Sequence, residues 1–362
     1  MPAPLIQVLV VDDSPVATEL LRHVLESDPQ IKVARCAKNG AEAIAALAAT
    51  RPDVITMDIE MPGMNGFEAT RVIMETQPVP VVIVSASFDP ADVAKAFDAM
   101  EAGAVAALEK PRGPGHPDHE AAARQLVATI KAMAGVRVVK RWPRARHAAR
   151  TSAVATPPLP AVQTREQTIR IVGIGASTGG PPVLQTILAA LPKPLPVAIV
   201  IVQHISAGFS QGLADWLAQS AGLPVQIARD GESIAAGHVY LAPDGMQTRI
   251  ETRGRISCVA DLPENGMRPA ASCLFRSLAE NFGPAAAGVL LTGMGRDGAD
   301  GLKLMRERGA VTFAQDKESS VIHGMPGAAI ELGAAVHILS PERIAAVLAD
   351  LIAPRSPVSS TS

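Results

Sequence analysis

The sequence predicts an α/β protein with two parallel-sheet domains. Short apolar runs alternate with helix-period segments along most of the chain, which is the pattern of parallel sheets covered by helices. Hydrophobic residues make up 48% of the 362 residues and aromatic residues only 3%. The apolar content is therefore mostly Ala, Val, Ile and Leu, which favours layered helices and sheets, and the length suffices for two cores.

Charge, cysteine content and apolar run length exclude several classes of protein. The formal net charge of −2 argues against a nucleic-acid-binding protein. The longest apolar runs, such as Val197–Val202, are too short to span a bilayer. The three cysteines, Cys36, Cys258 and Cys273, lack the paired spacing of a zinc site or disulfide framework. With no basic n-region before Ile6, the sequence predicts a cytoplasmic protein.

Residues 1–135 are predicted to form a domain with a five-stranded parallel sheet. Its apolar runs are Ile6–Val11, Lys32–Ala37, Val54–Met57, Val81–Val84 and Ala104–Leu108. Polar side chains follow four of these runs: Asp12 and Asp13, Asp58, Ser85, and Lys110. Because ligands of such sheets bind at the carboxyl ends of the strands, we expect these side chains to meet at one edge.

This set of side chains suits phosphoryl chemistry. Clustered carboxylates repel one another unless a cation neutralises them, and Mg²⁺ accepts carboxylates while keeping waters and a phosphate oxygen. A lysine and a hydroxyl nearby suit the remaining oxygens of a phosphoryl group on one Asp. Any one of these residues alone would be explained as a helix cap or a solvated acid. Five of them at the strand ends of one sheet predict a site.

With the run Met61–Gly66 after Asp58, the first domain resembles the receiver domain of bacterial response regulators. The resemblance implies a flavodoxin-like fold in which Asp58 accepts a phosphoryl group from a sensor histidine kinase. It also implies that Asp12 and Asp13, with Asp58, hold Mg²⁺, and that Ser85 and Lys110 bind the phosphate. Receivers usually have an aromatic residue three positions before the lysine, where this chain has Ala107. We therefore expect phosphorylation without the usual aromatic switch.

Residues 136–168 are predicted to be a linker and residues 355–362 a flexible tail. The linker is rich in proline and lies within a basic segment that has no Asp or Glu between Ala121 and Thr164. Such a charge run is usually a solvated connector. The loop with His116 and His119 resembles a metal pair, but its Gly and Pro neighbours favour an ordinary loop.

The second domain, residues 169–354, begins with a strand, a glycine-rich turn and a helix over Ile169–Leu191. Gly175, Ser177 and Gly179 match G-x-S-x-G, in which the glycines permit a bend that exposes the serine hydroxyl at a helix N-terminus. Ser177 is therefore the candidate nucleophile.

The same glycines admit a second interpretation as a dinucleotide-binding turn. That interpretation requires an acidic residue about 20 residues on, at the end of the next strand, to bind the ribose. The next strand, Val197–Gln203, ends instead in His204. A histidine suits proton transfer with Ser177, so the position favours the nucleophile.

A third apolar run, Val289–Thr292, also enters a glycine-rich turn, which contains Asp297 and Asp300. Either acid is alternatively the N-cap of a helix predicted over Gly301–Arg308. Asp297 lies nearer the strand end and is the candidate that orients the histidine. Ser177, His204 and Asp297 would then be nucleophile, general base and orienting carboxylate.

Three other histidines are rival bases: His238, His323 and His337. None of them follows an apolar strand into a glycine-rich edge, so we expect them to be structural or surface residues.

Four motifs in the second domain resemble the CheB-type chemotaxis protein-glutamate methylesterases: Gly175–Gly180, Val202–His204, Thr292–Gly298 and Gly324–Pro326. The resemblance implies a doubly wound parallel-sheet methylesterase domain in which Ser177 attacks a glutamate γ-methyl ester on a chemoreceptor, without a cofactor. It places the oxyanion near the backbone of Thr178 and Met294, and the same chemistry on glutamine is deamidation. It implies a chemotaxis-type kinase as phosphodonor and methyl-accepting chemoreceptors as substrates, with only peripheral contact at the membrane.

The leading hypothesis is an esterase that phosphorylation of Asp58 regulates. The alternative is a non-catalytic phosphoacceptor and receptor-binding module with a vestigial esterase site. It is suggested by Ala242–Gln247, where the family often has a histidine, and by Met267–Pro269, which replaces a His-Arg-Pro.

Overall fold

The computed structural model describes residues 5–85, 97, 99–100, 102–136, 138 and 168–353. The chain divides into two compact units, residues 1–151 and 152–362. Apart from residues 136, 138 and 168, the predicted linker lies outside the described residues, as does the predicted tail. Among the described residues no helix is long and apolar enough to cross a membrane.

The first unit contains a five-stranded, wholly parallel sheet in the order β2-β1-β3-β4-β5. The strands are β1 (Ile6–Val11), β2 (Ile31–Ala37), β3 (Val54–Met57), β4 (Val81–Ser85) and β5 (Ala106–Glu109). The described helices are α1 (Pro15–Glu26), α2 (Gly40–Thr50), α3 (Gly66–Thr76) and α4 (His119–Met133). Helix α1 contacts α4, and α2 contacts α3, so helices cover both faces. The strand order is flavodoxin-like, which confirms the predicted fold.

Side-chain caps fix the helix starts beside the carboxyl ends of the strands. Ser14 accepts a hydrogen bond from the Ala17 N–H, and Pro15 occupies the first helical position of α1. Asn65 accepts from the Glu68 N–H at the start of α3. These caps end the loops that follow β1 and β3, and so limit the movement of the acids in those loops.

The second unit contains a seven-stranded, wholly parallel sheet in the order β14-β13-β12-β6-β7-β9-β8. Its strands are β6 (Ile171–Ala176), β7 (Ala198–Gln203), β8 (Val225–Ile227), β9 (Val239–Leu241), β12 (Ala286–Leu290), β13 (Val311–Gln315) and β14 (His337–Leu339). A separate antiparallel hairpin consists of β10 (Gln247–Ile250) and β11 (Ile256–Val259).

Helices cover both faces of this sheet, which confirms the doubly wound fold. They are α5 (Gly180–Ala190), α6 (Ser210–Ala221), α7 (Ala271–Asn281), α8 (Ala299–Glu307), α9 (Met325–Glu331) and α10 (Pro341–Ile352). Helix α5 contacts α6 and α10, whereas α8 contacts α7 and α9. The core is aliphatic for the most part, and buried Phe275 and Leu278 of α7 pack in it.

Several boundaries differ from those predicted. The strand predicted over Val289–Thr292 is β12, Ala286–Leu290, because the Thr292 N–H donates to the Gln315 side chain and leaves the ladder. The helix predicted from Gly301 begins at Ala299, after Gly298 in the left-handed region. Between Gly237 and Val259 only β10 and β11 form a hairpin, because β9 pairs in parallel with β7 and β8.

Candidate active site

The polar residues predicted at the edge of the first sheet lie together. Lys110 Nζ is 2.7 Å from Asp12 Oδ2 and 3.0 Å from Asp58 Oδ2. One carboxylate oxygen from each of Asp12, Asp13 and Asp58 lies within 4.8 Å of the others. Ser85 is buried, and its carbonyl accepts the Lys110 N–H at 2.7 Å. The sheet therefore brings all five predicted residues to one edge.

Burial and charge act against each other in this cluster. Burial raises the pKa of Asp58, and the neighbouring Lys110 opposes that rise without cancelling it. Burial alone would lower the pKa of Lys110, but Asp12 and Asp58 outweigh it and the pKa is raised. The lysine is therefore held as a cation between two carboxylates.

In the second unit, the three predicted residues follow three adjacent strands. Ser177 follows β6, His204 follows β7, and Asp297 lies in the loop after β12. The chain winds from β6 toward β7 in one direction and from β12 toward β13 in the other, so β6 and β12 form a topological switch point. Open parallel sheets bind ligands in the crevice at such a point.

His204 and Asp297 form a buried, hydrogen-bonded pair. His204 Nε2 is 2.9 Å from Asp297 Oδ2, and the two side chains are only 5% and 3% exposed. Burial would raise the pKa of Asp297, but the contact with His204 and hydrogen bonds from Ser272 and Ala271 lower it. An ionised Asp297 requires a proton on Nε2, so the neutral ring has its lone pair on Nδ1. Nδ1 is buried and has no hydrogen-bond partner among the described residues.

Asp297 also caps α7, and this was not predicted. Its two oxygens accept the N–H groups of Ala271, at 2.6 Å, and Ser272, at 3.1 Å. The N-cap residue, Ala270, has a methyl side chain that cannot accept a hydrogen bond from these N–H groups. The sequence allows Asp297 as a cap of the helix that follows it, whereas the helix that it caps precedes it in the chain.

Ser177 lies beside His204 but is not hydrogen bonded to it. Ala176 and Gln203, the residues before them, are paired in register. Gln203 also donates from its side chain to the carbonyls of both Ser177 and His204, each at 2.8 Å. Within the described part of the chain, no hydrogen bond joins Ser177 Oγ to the His204 ring. Adjacent parallel strands are about 4.8 Å apart, so the strand ends that carry Ser177 and His204 are neighbours.

The two predicted oxyanion residues flank Ser177. Thr178 follows it in the same turn, and Met294, which is 47% exposed, follows Gly293. A Cβ added at Gly293 would lie 2.6 Å from Ser177 Cβ. The turn with Ser177 and Thr178 is therefore in close contact with the turn with Gly293 and Met294. Among the described residues, the backbone N–H groups of Thr178 and Met294 have no hydrogen-bond partner. Both are therefore available to a ligand.

The rival residues do not join this cluster. His238 is half-buried and stacks on Tyr240, and His337 stacks on Phe313. His323 pairs backbone to backbone with Gly293, but its ring contacts Ser320 Oγ at 3.4 Å and not the His204–Asp297 pair. Asp300 is exposed, 3.8 Å from Arg296.

Comparison with known proteins identifies both units. The CheB methylesterase family model matches residues 172–348, and the response regulator receiver domain model matches residues 8–116. A protein-glutamate methylesterase/protein-glutamine glutaminase of Nitrosospira multiformis is 56% identical over 97% of this chain and 98% of its own. The chain belongs to the CheB methylesterase family.

A second nearly full-length relative and a solved domain also match. A protein-glutamate methylesterase/protein-glutamine glutaminase of Geobacter metallireducens is 51% identical over 96% of this chain and 99% of its own. The crystal structure of the Thermotoga maritima CheB methylesterase catalytic domain is 37% identical, covers 51% of this chain and 99% of that chain, and has a TM-score of 0.49. The candidate residues of both sites lie within the two matched ranges.

Sequence reasoning missed the polar residues that hold these turns in place. Besides Gln203, they are Thr292 and Gln315, which are fully buried. Gln203 and Gln315 are polar ends of otherwise apolar strands, and Thr292 follows one. That position was the available signal, because a buried polar side chain at a strand end must find a partner.

Proposed function

We propose that this chain hydrolyses glutamate γ-methyl esters on chemoreceptors and deamidates receptor glutamines, and that phosphorylation of Asp58 stimulates it. The main support is the buried His204–Asp297 pair, whose Nδ1 is free at the strand end beside Ser177. The names of relatives matched over nearly the whole chain agree with this activity. The proposed boundaries are 1–135 for the receiver and 169–354 for the esterase, and the proposed location is the cytoplasm.

The esterase step follows from the free nitrogen of His204. Ser177 Oγ attacks the γ-carbonyl carbon, and its proton passes to His204 Nδ1, while Asp297 stabilises the resulting imidazolium. The N–H groups of Thr178 and Met294 donate to the oxyanion. The proton then passes to the leaving oxygen and methanol departs. Water, deprotonated by His204, hydrolyses the acyl-enzyme and releases glutamate; with glutamine as substrate the leaving group is ammonia.

The absent Ser177–His204 hydrogen bond is compatible with this step. Catalytic hydrogen bonds in ligand-free enzymes are often long and tighten only when substrate is bound. The unpaired Nδ1 has no competing partner among the described residues, so the serine hydroxyl is free to take that place.

The receiver half is proposed to take its phosphoryl group from a chemotaxis-type sensor histidine kinase. Three carboxylates have oxygens within 4.8 Å of one another, and their combined negative charge is larger than Lys110 alone neutralises. The residues therefore fit a divalent cation. Asp12, Asp13 and Asp58 would hold Mg²⁺, which neutralises phosphoryl charge during transfer. Ser85 and Lys110 would bind the oxygens of the transferred group.

The esterase is tested by methanol release from methylated receptor membranes. Ser177→Ala should abolish most of the release, because the variant lacks the attacking oxygen. Ser220→Ala is a matched control, because Ser220 Oγ is buried in α6 and has no hydrogen-bond partner in the part of the chain that the structure describes. Activity that survives Ser177→Ala would refute the proposal and favour the non-catalytic alternative, which predicts receptor binding without release.

Regulation is tested with a small phosphodonor. Wild-type protein should release methanol faster in its presence, whereas Asp58→Asn should show only the unstimulated rate. Asp118→Asn, which changes an exposed carboxylate in the same unit, should respond as wild type does. Stimulation of Asp58→Asn would place the phosphoacceptor elsewhere.

A further inference from the structure

Thr292 lies between the two turns that flank Ser177. It is fully buried, and it immediately precedes Gly293 and Met294. Its hydroxyl oxygen is 3.0 Å from the Thr178 carbonyl oxygen, and its own carbonyl accepts the Ser177 N–H at 3.0 Å. One residue therefore holds the Ser177–Thr178 turn through both its side chain and its backbone.

The same side chain also holds a third segment. Thr292 Oγ1 accepts the Ile322 N–H at 3.0 Å, and its single proton faces two carbonyl acceptors, Thr178 at 3.0 Å and Ile322 at 3.2 Å. The Thr292 N–H is fixed in turn by Gln315 Oε1 at 2.8 Å, and Gln315 Nε2 donates to the Ser319 carbonyl at 2.9 Å. Thr292 is thus anchored to the end of β13 through Gln315 and to the loop after β13 through Ile322.

We propose that Thr292 is a positioning residue that sets the distance between the N–H groups of Thr178 and Met294. The inference rests on the proposed function only in assigning those groups to the oxyanion. An oxyanion hole formed by two separate turns is effective only if both donors are held at the right separation. The Thr292 hydroxyl is the side-chain link that joins the second turn to the first.

Loss of the hydroxyl should act on the transition state more than on substrate binding. Thr292→Val keeps the shape of the side chain but leaves the Thr178 carbonyl and the Ile322 N–H without this partner, so the turns separate or rotate. A displacement of about 1 Å in a catalytic group costs about 10² in rate. We expect kcat to fall about 10²-fold with KM nearly unchanged. Thr292→Ser keeps the hydroxyl and should retain most of kcat.

Thr312→Val is a matched control for the loss of a buried hydroxyl. Thr312 is also fully buried; its Oγ1 donates to the Ala334 carbonyl at 2.7 Å and accepts the Val336 N–H at 3.1 Å. It lies near the start of β13, paired with Gly288, and not at the carboxyl edge of the sheet. The two valine variants therefore lose the same kind of hydrogen bonds at opposite ends of the sheet.

The experiment compares the full-length variants by methanol release and by amide hydrogen exchange. Exchange in the segments 177–180 and 292–296 should be faster in Thr292→Val than in wild type, and unchanged in Thr312→Val. Equal exchange in the two variants, or equal kcat, would overturn the inference. If the wild type releases no methanol, the proposed function fails, and exchange alone still decides whether Thr292 couples the two turns.

Discussion

Asp297 combines two structural duties in one side chain. It fixes the proton of His204 on Nε2, and it supplies the cap that Ala270 does not give to α7. Both duties require an ionised carboxylate, and its lowered pKa agrees with them. The choice between Asp297 and Asp300 made from the sequence therefore has a physical basis in the structure, although the catalytic role stays a prediction.

Asp297→Asn should lower kcat for methanol release by about 10⁴-fold, because an amide favours the wrong tautomer of the histidine. The measurement is kcat of the purified variant beside Asp300→Asn, which changes only an exposed pair with Arg296 and should behave as wild type. Equal losses in the two variants would contradict the assignment.

The same variant has a pH-dependent effect on stability. Because the folded pKa of Asp297 is lowered, its contribution to the free energy of unfolding is complete above the ordinary value of about 3.9. It is lost as the pH falls through the folded pKa. The stability difference between wild type and Asp297→Asn, measured by urea unfolding, should therefore be constant near neutrality and shrink in acid.

At the scale of elements, the approach of α3 to β3 depends on the first residue of the helix. A Cβ added at Gly66 would lie 2.0 Å from the carbonyl oxygen of Asp58 and 3.0 Å from Ile59 Cα. Both are backbone atoms, so a side chain there must displace either the helix or the phosphoacceptor loop. The glycine is needed for close approach, because its φ is not in the left-handed region.

Gly66→Ala should destabilise the receiver by about 1–3 kcal/mol, as overpacking of a dense interior does, and slow the phosphorylation of Asp58. Thermal unfolding and labelling by a small phosphodonor measure the two effects. Gly113→Ala is the control, because a Cβ there would meet nothing within 4 Å. Wild-type labelling of Gly66→Ala would mean that α3 and the loop adjust independently.

The elements of the second unit differ in how well the sequence predicts them. Strand β7 lies within the predicted run Val197–Gln203, and β6 overlaps the predicted strand but extends to Ala176, into the predicted turn. Strand β9 has only three residues, Val239–Leu241, and nothing in so short a run distinguishes a parallel sheet strand from one arm of a hairpin. Its place in the sheet is decided by pairing with β7 and β8.

At the scale of the whole molecule, two sites with different chemistry lie in two separate units. The first is an acidic cluster that fits a divalent cation, and the second is a serine, histidine and aspartate cluster. Each unit has its own sheet, and each site lies at the carboxyl edge of that sheet. The two activities should therefore respond separately to reagents that act on only one site.

Chelation of divalent cations should abolish phosphorylation of Asp58, and with it stimulation by the phosphodonor, while unstimulated methanol release continues. The physical reason is that the proposed esterase step uses only side chains and backbone N–H groups. Release is measured with and without EDTA, and added Mg²⁺ should restore stimulation. Loss of the unstimulated rate in EDTA would show that the esterase step itself needs a metal.

The sequence by itself determined the two parallel sheets and the strand ends at which polar residues collect, because apolar runs are local and parallel strands share one carboxyl edge. Only the tertiary structure decided which atoms meet. His204 and Asp297 are 93 residues apart, and their contact leaves Nδ1 as the free nitrogen. Likewise, Thr292 joins turns 114 residues apart through a hydroxyl. Such pairings depend on packing between distant segments, which no local pattern specifies.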